Sequence, residues 1–183
     1  MMFGPQPQAV VRADMSFELD GLFGPQLLMI SGPPRGWIVK SVKYRGDDVT
    51  DTAVEFKSSS DPKLLEVTLT THGAIVSGRV LGDDGKESSD AFVVMLPTDL
   101  SRWRPFPGTP MITPKADGTF TIGPVRPGDY VVAAVTGISM TRLFEPTAKA
   151  DIAARIAKAG ERIVLVEDDK HSIDLRITKL DLR

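Results

Sequence analysis

The 183-residue chain contains no cysteine and only two histidines. Without thiols there can be no disulfide framework, thiolate metal site or cysteine nucleophile. The compartment stays open, because both the cytosol and an exported bacterial protein that dispenses with disulfides fit a cysteine-free chain. His72 and His171 have neither a second histidine nor a carboxylate at a zinc-ligand spacing, so the sequence assigns them solvated or local hydrogen-bonding roles. No Ser-x-x-Lys, Gly-x-Ser-x-Gly or phosphate-cradling glycine loop occurs, and nothing in the chain calls for a cofactor. Charge of one sign is lacking too. Lys and Arg number 22 against 24 Asp and Glu, a formal net charge of -2, which leaves no field that would favour nucleic acid or an anionic membrane. No stretch approaches the roughly 20 apolar residues needed to span a bilayer. Met1 to Gln8 has neither the basic nor the apolar region of a signal peptide, so export would depend on a signal removed or lying upstream.

Turn-forming residues are plentiful, with 16 glycines and 14 prolines punctuating short apolar or alternating runs. That texture predicts an all-β chain, and the length suits two small units rather than one. Strands are expected at 10–12, 16–19, 26–30, 37–44, 54–56 and 64–70, then at 74–81, 91–96, 111–113, 119–122, 130–135, 162–166 and 172–178. Asp117-Gly118 is a tight hairpin turn by composition, and Pro127-Gly128 has the central pair of a type II turn. The run Tyr130 to Val135 is apolar throughout and reads as a central strand. One short helix is expected at 147–159, where Ile152 and Ile156 share a face, Asp151 can pair with Arg155, and Gly160 follows. Its thin apolar stripe predicts a place across an end or edge of the second unit.

An internal repeat organises the chain. Ala13-Asp14-Met15-Ser16-Phe17-Glu18-Leu19 matches Ala116-Asp117-Gly118-Thr119-Phe120-Thr121-Ile122 in pattern. A Gly-Pro or Pro-Gly turn follows each copy, at Gly24-Pro25 and Pro127-Gly128. Each copy then closes on a similar strand, Val67-Thr68-Leu69-Thr70 in one and Leu175-Arg176-Ile177-Thr178 in the other. The second copy has two strand candidates ahead of its Asp-Gly turn, whereas the first has only about a dozen residues there. The expected organisation is a partial, diverged unit over 1–72, incomplete at its N-terminal end, and a full β-sandwich over 73–183. Unpaired backbone in the first unit would have to be completed by residues outside the chain, by a partner chain, or by a rearranged local fold.

The second unit carries Ser77-Gly78-Arg79-Val80, Asp84-Gly85, Phe92-Val93-Val94, Ala116-Asp117-Gly118-Thr119-Phe120 and Arg126-Pro127-Gly128-Asp129-Tyr130, in that order. This succession resembles the carboxypeptidase regulatory-like domain, a transthyretin-like (prealbumin-like) sandwich with Ig-like layering, marked by a G-x-V strand, a D-G-x-F hairpin and a P-G-x-Y strand. The tandem layout, with Lys40-Ser41-Val42 and the acidic stretch from Gly46 to Asp51, is similar to C-terminal units of large exported bacterial proteins. The resemblance implies an extracellular, periplasmic or cell-envelope module without a reaction of its own. Its implied partners are other domains of a larger protein or neighbouring copies of the chain. The metallocarboxypeptidase ligand pattern itself is missing.

Remaining candidates are few. Tyr44-Arg45-Gly46-Asp47 resembles the C-terminal tetrapeptide of hydroxyisourate hydrolases but is internal and ends in aspartate, and its Arg-Gly-Asp reads as an ordinary turn after a strand. The acidic groups at 47–51, 83–84 and 167–169 read as solvated turns rather than calcium loops. Trp37, at a strand start, is expected in the first unit's core. Arg102, Trp103, Arg104 and Phe106 form the one candidate contact set, an aromatic loop flanked by arginines that could stack on a polysaccharide or dock a neighbouring domain, or simply cover a sandwich end.

Overall fold

The computed structural model describes residues 8–57, 65–103, 110–138 and 146–180. Strands dominate, with a single α-helix among the described residues. The chain divides into two compact units, Met1–Gly32 with Val39–Leu69, and Pro33–Ile38 with Thr70–Arg183.

The first unit holds β1 (Gly24–Gln26), β2 (Ile38–Tyr44), β3 (Asp47–Asp48), β4 (Val54–Phe56) and β5 (Leu65–Thr70). β1 pairs antiparallel with β4, while β3, β2 and β5 make a separate three-stranded sheet. Val42 and Val54 are the buried hydrophobic residues among those described in this unit. The strands expected at 10–12 and 16–19 do not form, and the one expected at 26–30 is reduced to a start at Gly24–Gln26. Alternating apolar residues become a strand only when a neighbour accepts and donates the ladder hydrogen bonds, and no described strand lies beside these segments.

The second unit contains β6 (Ala74–Leu81), β7 (Phe92–Pro97), β8 (Met111–Ile112), β9 (Thr119–Val125), β10 (Gly128–Thr136), α1 (Pro146–Ala159), β11 (Glu161–Leu165), β12 (Lys170–Ser172) and β13 (Leu175–Lys179). β9, β6 and β12 form one layer; β8, β7, β10 and β11 form the other. β13 joins them, since it runs parallel to β6 at Leu175–Arg176 and then parallel to β10 at Ile177–Lys179. Where a single strand over 172–178 is expected from sequence, the chain instead breaks between β12 and β13 while still running beside β6, and changes layer only after Arg176.

The main core lies between the layers and is built from Val76, Val80, Val93, Met95, Phe120, Ile122, Val132, Leu165 and their neighbours. A second core lies on the outer face of β7 and β10. There Val94, Leu96, Ala133 and Val135 meet Ile152, Ala153 and Ile156 of α1. Both strands are thus covered on both faces, which is why their sequences are continuously apolar rather than alternating. This corrects the expected position of the helix: it packs on a sheet face, not at an end or edge. Small residues on both surfaces, Ala133 and Ala153, allow the close approach that a thin stripe alone does not announce. The residue that follows the helix has to be glycine, because a Cβ at Gly160 would stand 2.4 Å from a Val131 methyl and 2.7 Å from the Val132 carbonyl oxygen.

Repetition of the Asp-x-x turn holds at atomic detail. Arg12 N donates to Ser16 O at 2.8 Å and Lys115 N to Thr119 O at 2.8 Å; Met15 N donates to Arg12 O at 3.0 Å and Gly118 N to Lys115 O at 2.8 Å. In both copies the Asp carboxylate accepts from the backbone N–H at 3.0 Å and the hydroxyl at 2.6 Å, from Ser16 in one and Thr119 in the other. Met15 even adopts the left-handed φ of 64° that Gly118 holds at 73°.

Candidate interaction surfaces

Trp103 is placed by a short 3-10 helix, Leu100–Arg102. Asp99 caps it by accepting from Ser101 N at 3.0 Å and from the Ser101 hydroxyl at 2.6 Å. The Ser101 hydrogen bonds hold the Asp99 carboxyl below its ordinary range. The chain then turns the indole inward, against α1, β7 and β10, leaving it 3% exposed. Its ring faces are therefore occupied by protein, and Trp103 serves as cover for the outer face of the sheet. Arg102 stays at the surface. Arg104 and Phe106 lie outside the described residues. Trp37 departs from expectation in the opposite sense: it is 43% exposed, on a turn in which its N–H donates to Pro34 O, and takes no place in the first unit's core.

A depression of about 420 Å3 opens where the chain passes from β12 to β13, lined by Ser77, Gly78, Arg79, Ser172, Ile173 and Asp174. Gly78 is what makes the crossing possible, since a Cβ there would fall 1.7 Å from the Ile173 carbonyl oxygen. Arg79 holds the crossing segment from the side, 3.0 Å from Asp174 and 3.4 Å from Glu87. Its guanidinium is raised above its ordinary pKa, chiefly by the hydrogen bond to Asp174. All three partners are about half exposed, so the cluster is a latch on a solvated surface with a small energetic return. The Gly-Arg pair of the sequence motif therefore has structural work to do before any ligand is considered.

Other polar candidates are similarly engaged. His72 Nδ1 lies 2.7 Å from an Asp168 carboxylate oxygen, Asp48 accepts from Thr50 N, and Asp84 accepts from Lys86 N. Among the described residues no group of three His, Cys, Asp or Glu could hold a metal ion. Arg45-Gly46 forms the two-residue tip of the β2–β3 hairpin, with φ of 54° and 92° as a type I′ turn demands. The Arg45 guanidinium sits over the Tyr44 ring at 5.6 Å, and that ring meets Phe56 edge-on at 5.2 Å.

What sequence reasoning missed is a set of large apolar side chains displayed by the first unit. Val10, Val11, Met15, Phe23, Met29 and Ile30 are all exposed, Val10 to 86% and Phe23 to 74%. The signal was present in the apolar runs around them, but apolar runs are ordinarily read as core.

No family model matches this chain. Nor does any curated protein. Solved structures that resemble it include a candidate carbohydrate-binding protein of Pseudomonas aeruginosa, at 10% identity and a TM-score of 0.35, over 57% of this chain and 88% of that one. The major pilin subunit of Bacillus cereus aligns at 10% identity and a TM-score of 0.37, over 78% of this chain and 56% of the pilin. The Bacillus anthracis TIE protein aligns at 10% identity and 0.37, over 88% of this chain but 35% of its own length. No helix of the described residues is long and apolar enough to cross a membrane.

Proposed function

We propose that this chain is a non-catalytic interaction or spacer module of an extracellular or cell-envelope protein, built from tandem carboxypeptidase regulatory-like units. The observation that carries the reading is the contrast between the units. The second is packed on both faces of its central strands, whereas the first displays Val10, Phe23 and Met29 to solvent. Large apolar side chains held in water on one unit favour a contact role for that unit. Among the described residues, His72, Asp48, Asp84, Asp99 and Arg79 are committed to turns, a cap and ion pairs, which favours architecture over turnover.

A polysaccharide site at Arg102 and Trp103 has a weaker claim, because an indole can stack on a sugar only with a face free. The module reading is tested by assaying the full chain against ester, peptide and glycoside substrates. No turnover is expected above background. Turnover abolished by a single substitution, Asp174→Asn or His72→Ala, would overturn it.

A further inference from the structure

Aspartate followed by glycine is a chemically labile pair. Glycine has no Cβ to crowd its main-chain nitrogen, which can attack the preceding side-chain carboxyl unless one or both groups are held elsewhere. The chain has three such pairs, Asp20-Gly21, Asp84-Gly85 and Asp117-Gly118. In the second unit both groups of each pair are held. Gly118 N donates to Lys115 O at 2.8 Å, while the Asp117 carboxylate accepts from Thr119 N at 3.0 Å and from the Thr119 hydroxyl at 2.6 Å. Those bonds also keep the Asp117 carboxyl below its ordinary range, in the ionised form that closes no ring. Gly85 N donates to Gly82 O at 3.0 Å, and the Asp84 carboxylate accepts from Lys86 N at 3.0 Å and lies 3.8 Å from Lys86 Nζ. Asp20-Gly21, in the first unit, differs. Neither its carboxylate nor its glycine N–H has a hydrogen-bond partner among the described residues. Both residues are exposed and belong to no strand, and nothing stands within 4 Å of where a Gly21 Cβ would be. Exposure alone does not separate the pairs, since Asp84 and Gly85 are exposed as well; the held groups do.

We propose that Asp20-Gly21 is a site of spontaneous isoaspartate formation, with water as the co-reactant. The Gly21 nitrogen adds to Cγ of the side-chain carboxyl in its protonated form; the N–Cγ bond forms, the Cγ–OH bond breaks, and the hydroxyl leaves with the amide proton as water. A second water then opens the cyclic imide. Opening at Cγ restores aspartate, whereas opening at the main-chain carbonyl leaves the backbone running through Cβ and Cγ and frees an α-carboxylate. Nothing is oxidised or reduced, and the product has the mass of the starting chain. Two or more hydrogen bonds must open before the ring can close at Asp84 or Asp117, and none at Asp20, so Asp20 reacts faster by about tenfold or more. The lengthened backbone lies just ahead of the exposed Phe23. The modification therefore alters the displayed surface of the first unit, and it goes beyond the module reading without resting on it.

The test is prolonged incubation of the full chain at mildly acidic pH, folded or in urea, followed by proteolysis and electron-transfer fragmentation, which separates isoaspartate from aspartate at each position. In the folded chain, imide and isoaspartate should accumulate at Asp20 at least about tenfold faster than at Asp84 or Asp117. In urea, where the hydrogen bonds of the second unit are lost, the three rates should converge. Asp20→Glu should abolish the product at that position, because ring closure would need a sixth member, and should leave Asp84 and Asp117 unchanged. A folded-chain rate at Asp20 no faster than at the other two pairs would overturn the proposal. So would a rate at Asp20 that is about tenfold or more lower in the folded chain than in urea, since that would show the site to be protected by the fold. Neither outcome depends on turnover, so a failure here leaves the module reading to its own assay.

Discussion

Gly78 and Trp103 illustrate how differently single residues can be read. The Gly-x-Val pattern around Gly78 is visible in the sequence, but its cause is a backbone crossing contributed by residues almost a hundred positions later, which no local pattern encodes. Gly78→Ala should destabilise the second unit by about 3 kcal/mol or more, because the clash is with backbone and cannot be relieved by a rotamer change. Gly85→Ala is the control: its φ is 76° but nothing lies within 4 Å, so only left-handed strain of about 1 kcal/mol applies. Urea denaturation of both variants measures the difference. For Trp103→Ala, loss of a buried indole should cost about 3–5 kcal/mol, far more than a displayed ligand-binding ring would. A near-neutral melting curve would return Trp103 to the ligand candidates. Trp37 had the better sequence claim to a core and is exposed; whether an aromatic is buried depends on what packs over it, and that is not written beside it.

At the scale of elements, the helix and its two strands depend on one another. β7 and β10 are apolar on both faces, and α1 together with Trp103 covers the outer one. Ile156→Ala should therefore cost about 2–5 kcal/mol, whereas breaking the exposed Asp151–Arg155 pair, whose Nε–Oδ2 distance is 2.8 Å, should change stability by no more than about 0.5 kcal/mol. Thermal melts of Ile156→Ala and Asp151→Ala separate the two. The Asp-x-x turns predict a pH response. Hydrogen bonds from Thr119 hold the Asp117 carboxyl below its usual 3.8, and those from Ser16 do the same for Asp14. A carboxylate depressed in the folded state stabilises above its unfolded pKa, and that contribution is lost as pH falls through the depressed value. The stability gap between wild type and Asp117→Ala should thus be full at neutral pH and close on acidification below 3.8. A gap constant with pH would assign the turn to its backbone alone.

For the whole molecule, the unequal packing of the two units sets the expectation. Phe23→Ser and Met29→Ser remove side chains already in water, so each should alter folding stability by less than about 0.5 kcal/mol. Val54→Ala, at a buried position of the same unit, should cost about 2 kcal/mol instead. Urea denaturation of the three variants distinguishes a contact surface from a poorly built core.

Much of the architecture was legible because it follows from local rules. The alternation of β6, the Asp-Gly turn before β9, the apolar run of β10 and the repeat of the Asp-x-x turn each depend on neighbours within a few residues. Strand alternation and turn chemistry are properties of the chain itself. Tertiary structure alone decided the rest: that the helix takes a sheet face, that Gly78 yields to a crossing strand, that Trp103 turns inward, and that residues 16–19 stay unladdered. Those outcomes require knowing which distant segment supplies a partner, because a strand's hydrogen bonds and a side chain's burial are completed by whatever the rest of the molecule brings beside them.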